Sequence, residues 1–146
     1  MSAERYTLDT NILFYAIDLD AGEKHRVASE IVAAADHRQA VLTLQSLGEL
    51  YNAISRKRPS RMVHVQDFVA KSAILFDVVH ALPEDLAEAI LAHQQHNLSF
   101  WDAMLWATAR RAGCRLILSE DLQDGRTLGG VIVRNPFAKG FRLDTL

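Results

Sequence analysis

Cysteine, proline and any excess of charge are scarce in this chain. A single cysteine, Cys114, among 146 residues excludes an intrachain disulfide framework and fits a reducing, cytoplasmic setting. Only three prolines occur, Pro59, Pro83 and Pro136, and each falls where one element should stop or another begin. With 16 Lys and Arg against 18 Asp and Glu, the net charge is −2. That excludes a protein that is basic all over, so any nucleic acid must meet a local patch. No apolar run reaches the roughly 18 residues of a membrane span. Met1-Ser2-Ala3-Glu4-Arg5 lacks the basic start and apolar stretch of a signal peptide, so neither insertion nor export is expected. What remains is ordinary for a folded domain, 49% hydrophobic and 23% charged. A chain of this length should bury roughly 70% of its extended surface, enough to fold without disulfide or structural metal. One domain spanning 1–146 is expected, with no repeat, low-complexity tract or linker.

Hydrophobic spacing predicts alternating strands and helices. Short apolar runs at Tyr6–Leu8, Val41–Leu44, Phe76–Val79, Leu116–Leu118 and Val131–Val133 read as strands. Helices are expected over Ile12–Ile17, His25–Ala35, Ser46–Lys57, Ser60 to about Leu75, Glu84–Gln95 and Ser99 to about Ala112. The strands are continuous rather than alternating, which is the pattern of a parallel sheet covered on both faces. The expected fold is therefore three-layer α/β/α with a mostly parallel central sheet of four to five short strands. In such folds the ligand site lies beyond the carboxyl ends of the strands.

Four acids fall at such places, and each has a structural alternative. Asp9 ends the first strand, where it could simply cap the next helix. Asp102 sits in Ser99-Phe100-Trp101-Asp102, a capping-box pattern, but its neighbours on the helix, Leu105, Trp106 and Ala109, are apolar. A carboxylate in that company is costly unless it is paired or metal-bound. Glu49, in Ser46-Leu47-Gly48-Glu49, taken alone reads as a cap. Asp121 follows a strand and taken alone reads as a turn former, as does Asp124 before Gly125. Together, Asp9, Glu49, Asp102 and Asp121 converge on one edge of a parallel sheet. Carboxylates gathered in one cleft repel, and a hard divalent cation relieves the repulsion. Oxygen donors select Mg²⁺ or Mn²⁺ over zinc. One or two such ions suit phosphodiester hydrolysis.

Other features read as structural first. His93 and His96 could share a metal, but His93 falls on the face of Leu86 and Ile90 and reads as a core or boundary residue. Cys114 reads as a small buried hydrophobe. Arg56, Lys57, Arg58 and Arg61 form a helix-end basic run that could contact RNA phosphates or merely be solvated. No Ser-His-Asp elbow, HExxH, CxxC or phosphate-binding glycine loop is present. A receiver domain would want paired acids near its first strand. A haloacid-dehalogenase-type phosphatase would want Asp-x-Asp, and Asp9-Thr10-Asn11 is not that.

At these residues the chain resembles a PIN domain, and within that family a VapC-type toxin ribonuclease. The likeness rests on Asp9-Thr10-Asn11-Ile12-Leu13, Ser46-Leu47-Gly48-Glu49-Leu50, Ser99-Phe100-Trp101-Asp102-Ala103 and Ser119-Glu120-Asp121-Leu122-Gln123-Asp124-Gly125. It implies a metal-dependent endoribonuclease with Asp9, Glu49, Asp102 and Asp121 around one or two Mg²⁺ or Mn²⁺ ions. Thr10, Asn11 and Ser119 would be supporting polar residues. It also implies a homodimer held by a cognate VapB-type antitoxin that inserts a segment near the site. Gln123 stands where many relatives carry a further acid, and Asp124 is displaced by one. The alternatives are a housekeeping PIN nuclease without antitoxin and a non-catalytic PIN-like module. If Glu49 faces the cleft, the Tyr51 and Ile54 side of its helix is expected to face another chain or the antitoxin segment.

Overall fold

The computed structural model describes residues 4–35 and 39–146. The chain begins β1 (Arg5–Leu8), α1 (Thr10–Ile17), α2 (Glu23–Ala34), β2 (Ala40–Thr43), α3 (Leu44–Lys57) and α4 (Met62–Leu75). It continues β3 (Asp77–Val79), α5 (Pro83–His96), α6 (Phe100–Arg111), β4 (Cys114–Leu118), β5 (Thr127–Leu128) and β6 (Val131–Arg134). The sheet order is β3-β2-β1-β4-β6-β5. Every pairing is parallel except β5 with β6.

Side-chain alternation splits the core into two layers. Tyr6, Leu8, Leu42 and Leu118 point to one face and pack with α1, α2, α3 and α4 through Ile12, Leu13, Ile31, Leu50, Ile54 and Val65. Val41, Ile117, Val131 and Val133 point to the other and pack with α5 and α6 through Ala89, Ala92 and the run Ala103–Ala109. The expected α/β/α sandwich is thus present, with six strands rather than four to five. The added strand is only two residues long and turns through Gly129 and Gly130, both with positive φ. Two left-handed residues make the tight hairpin that matches strand twist. A side chain at Gly129 would also meet the Trp106 ring at 2.9 Å.

Helix ends differ from the sequence reading in one way that matters. Ser46 is not the cap of α3. Thr43, the last residue of β2, takes that place: its Oγ1 accepts from the Ser46 N–H at 3.1 Å. The strand therefore runs straight into the helix, and Glu49 lies in the second turn, out of capping reach. Likewise Ser60 lies within a 3-10 turn, Pro59–Arg61, and caps nothing. Among the described residues no helix is long and apolar enough to cross a membrane.

Candidate active site

The strand order reverses between β1 and β4, which leaves a crevice where their carboxyl ends part. Asp9 leaves β1 there, and its N–H donates to Leu118 O at the end of β4 at 2.9 Å. The Asp9 carboxylate is almost wholly enclosed, 7% exposed. Oδ1 accepts from the Thr10 N–H at 2.7 Å, so Asp9 does cap α1. Oδ2 accepts from Ser119 Oγ at 2.7 Å and Asn11 Nδ2 at 3.3 Å. Cap and site member are not exclusive here. Burial pushes the Asp9 carboxyl up to about 6, against the Ser119 and Thr10 hydrogen bonds, and the charges of Asp102 and Asp121 push the same way as burial.

Ser119 and Asn11 organise the β4 side. Fully buried Ser119 accepts at Oγ from the N–H groups of Asp121 (3.2 Å) and Leu122 (3.3 Å). Asn11 Nδ2 also donates to Asp121 Oδ2 at 3.1 Å, and its Oδ1 accepts from the Glu120 N–H at 3.2 Å. Two adjacent acids, Glu120 and Asp121, thereby part company. Glu120 is ion-paired to Lys24, beside Tyr15, whose hydroxyl is pushed up by burial and then by Glu120. Asp121 is left to the crevice.

Glu49 reaches the site from α3. Oε2 accepts from Thr10 Oγ1 at 2.9 Å and Oε1 from Gln45 Nε2 at 2.7 Å. Gln45 is a positioning residue that the sequence reading missed. Its signal was the i,i+4 spacing to Glu49 on one helix face. Asp102 lies half-buried in the first turn of α6, whose cap is Ser99 Oγ accepting from the Asp102 N–H at 3.2 Å. Among the described residues no side chain or backbone N–H donates to the Asp102 carboxylate, so only half of the capping-box pattern is realised.

Asp9, Glu49, Asp102 and Asp121 line one cavity of about 390 Å³, with Thr10, Asn11, Tyr15 and Lys57 among its other walls. One ammonium faces four carboxyls there. Among the described residues no three His, Cys, Asp or Glu side chains form a ready-made metal cage. The donor set is all oxygen, which fits a hard divalent cation. Asp124 is outside this cavity and accepts from the Asn135 N–H at 2.9 Å, which closes its loop. His93 is exposed, its Nδ1 2.6 Å from Leu98 O, rather than on a core face; Ala89 and Ala92 form that face instead.

The basic run divides. Lys57 lines the cavity and Arg56 is exposed. Arg58 Nε donates to buried Asp18 at 2.9 Å, and Arg61 Nε donates to Ile17 O at 3.0 Å, so both brace the end of α1. The proposed Tyr51 and Ile54 stripe also divides. Ile54 is fully buried in the core, while Tyr51 is 42% exposed. The side of α3 away from the crevice packs on α1 and α4 rather than facing out.

The PIN domain model matches residues 6–123, a span that contains all four acids. The chain belongs to the PIN-domain family. Among solved structures, this PIN domain is similar to Mycobacterium tuberculosis VapC20, described as a sarcin-ricin loop cleaving toxin. The two share 18% identity over 80% of this chain and 91% of that one, with a TM-score of 0.66. A toxin-antitoxin complex from Klebsiella pneumoniae matches at 22% identity over 90% and 98%, with a TM-score of 0.65. VapBC2 from Rickettsia felis, bound to a promoter DNA fragment, matches at 12% identity over 89% and 97%, with a TM-score of 0.62. At these identities the likeness establishes the shared fold. A search of curated proteins finds no match.

Proposed function

We propose that this PIN domain is a metal-dependent endoribonuclease and the toxin of a cytoplasmic toxin-antitoxin pair. The observation that carries the reading is the convergence of four carboxyls, one of them nearly buried, on a single cavity at the sheet's carboxyl edge. Asp9, Glu49, Asp102 and Asp121 would hold one or two Mg²⁺ or Mn²⁺ ions. When bound, such an ion polarises the phosphodiester and offsets its charge. The chain's own groups do the positioning. Ser119, Asn11 and the Thr10 N–H aim Asp9, while Thr10 Oγ1 and Gln45 aim Glu49. Lys57 attracts phosphate to the rim, and the Asp102 carboxylate takes no hydrogen bond from the described residues, which leaves its oxygens for the ion. The similar toxin-antitoxin assemblies support an antitoxin partner, here of VapB type, and the toxin reading over a housekeeping nuclease; a homodimer is part of the same proposal.

The test is cleavage of RNA by the purified chain in Mg²⁺ or Mn²⁺, with the new ends sequenced. Cleavage should stop on chelation and should be lost in Asp102→Asn. Full activity in excess EDTA, or in that variant, would sink the reading.

A further inference from the structure

A second concavity, of about 730 Å³, opens directly beside the acid cavity, and Glu49 lines both. Its walls are the first two turns of α3 and α6 and the residues between β3 and α5. The lining is mainly apolar, with Leu44 and Trp101 both largely exposed. The chain's other tryptophan, Trp106, is buried and donates Nε1–H to Leu128 O at 3.0 Å. Trp101, by contrast, is 61% exposed yet firmly placed. Its ring meets Phe100 edge-on at 5.0 Å, and its carbonyl accepts from Gln45 Nε2 at 3.1 Å. That same amide orients Glu49, and Asp102 is the next residue in the chain.

Gly48 supplies an independent observation. It lies inside α3 on the groove, where glycine is a poorer helix former than alanine. A Cβ there would meet nothing within 4 Å, so no contact within the chain calls for glycine. Its bare backbone leaves room for a flat group brought from outside.

We propose that the groove seats the nucleobase flanking the phosphodiester held by the acids, with Trp101 as its stacking platform and Gly48 as its floor. The proposal rests on the nuclease reading, since a phosphate in the acid cavity delivers its neighbouring base to the adjoining groove. The lining carries no Lys or Arg, which suits an uncharged ring rather than a phosphate. Gln45 and His80 stand among its walls with hydrogen-bonding groups for a base edge. Stacking on an aromatic ring tolerates any base, so Trp101 sets register rather than sequence.

The experiment mixes the full chain in Mg²⁺ with a short single-stranded oligoribonucleotide, or with its abasic counterpart, and follows tryptophan fluorescence before turnover. Fluorescence should be quenched by RNA, not by the abasic strand, and the quench should vanish in Trp101→Phe while most affinity remains. Trp101→Ala should bind RNA about 5- to 150-fold more weakly, whereas its affinity for the abasic strand, which has no base to stack, should match that of wild type. Gly48→Ala should raise Tm by about 2–4 °C while weakening RNA binding. Equal quenching by the abasic strand, or RNA binding unchanged in Trp101→Ala, overturns the platform. So does a groove already covered by a second copy, seen as a Trp101→Ala chain that elutes smaller and a wild type whose fluorescence ignores RNA. Cleavage that persists with the platform refuted leaves the nuclease reading intact. Quenching by RNA without cleavage in Mg²⁺ or Mn²⁺ refutes the nuclease reading alone.

Discussion

Replacing Asp9 by asparagine removes a buried carboxylate while keeping the side chain's shape and its cap on the Thr10 N–H. The Asn Oδ1 can still accept from the Thr10 N–H, but Ser119 Oγ already accepts from the Asp121 and Leu122 N–H groups, so the Ser119 and Asn11 bonds to this side chain must rearrange. The electrostatic consequence is larger. The Asp9 carboxyl is moved from 3.8 to about 6, chiefly by burial, a difference worth about 3 kcal/mol between the two protonation states. The folded value lies above the unfolded one. The stability tied to the protonated form is therefore complete below about pH 4 and is lost as pH rises through about 6. Metal-free wild type should lose about 3 kcal/mol over that interval on this account, and Asp9→Asn should not. Rearranged hydrogen bonds shift both ends of the curve equally and cancel in the comparison. In melting temperature the variant should gain on wild type by roughly 6–12 °C between pH 4 and pH 7.5. The assay is thermal denaturation of both chains in EDTA at closely spaced pH values, repeated with Mg²⁺. Magnesium should raise the melting temperature of wild type more than that of the variant, because a ligand stabilises only the form that binds it. Parallel curves in EDTA would refute the burial reasoning.

The divided basic run predicts two behaviours. Arg56→Ser with Lys57→Ser should reduce the log-affinity against log-salt slope for single-stranded RNA by about 1 and leave Tm unchanged. Arg58→Ser should leave that slope alone but lower the midpoint of urea denaturation, because Asp18 is buried and loses its partner. An unchanged slope in the first would return Arg56 and Lys57 to the solvent, and an unchanged urea midpoint in the second would refute the bracing role of Arg58. Tyr51→Asp should leave a folded chain, since Tyr51 is exposed, and should shift elution to a smaller species if the dimer uses that side of α3.

Much of the fold was legible because it rests on local patterns. Short unbroken apolar strands and amphipathic helices mark the parallel sheet, and Asp9 and Asp121 betray themselves by following strands. Asp102 was legible as a carboxylate in apolar company. Glu49 was obscured because Ser46 imitates a helix start, whereas the true cap, Thr43, belongs to the preceding strand. Partners distant in sequence were invisible to spacing. Arg58 finds Asp18 across 40 residues, and Lys24 finds Glu120 across 96, which is what separates Glu120 from Asp121. The two-residue β5 carries too little pattern to announce a strand. Ile54 joins the core because α4 covers it, a fact of tertiary packing that helical period alone does not contain.

Manganese titration by calorimetry, on wild type and on Glu49→Gln, Asp102→Asn and Asp121→Asn, decides most directly whether the four acids act as one site. Wild type should bind one or two ions per chain, and every substitution should weaken that binding while leaving the metal-free chain as stable as before or more so, since repulsion among the acids is relieved. Binding that survives all three substitutions unchanged, or no saturable binding by a chain that still cleaves RNA, would contradict it.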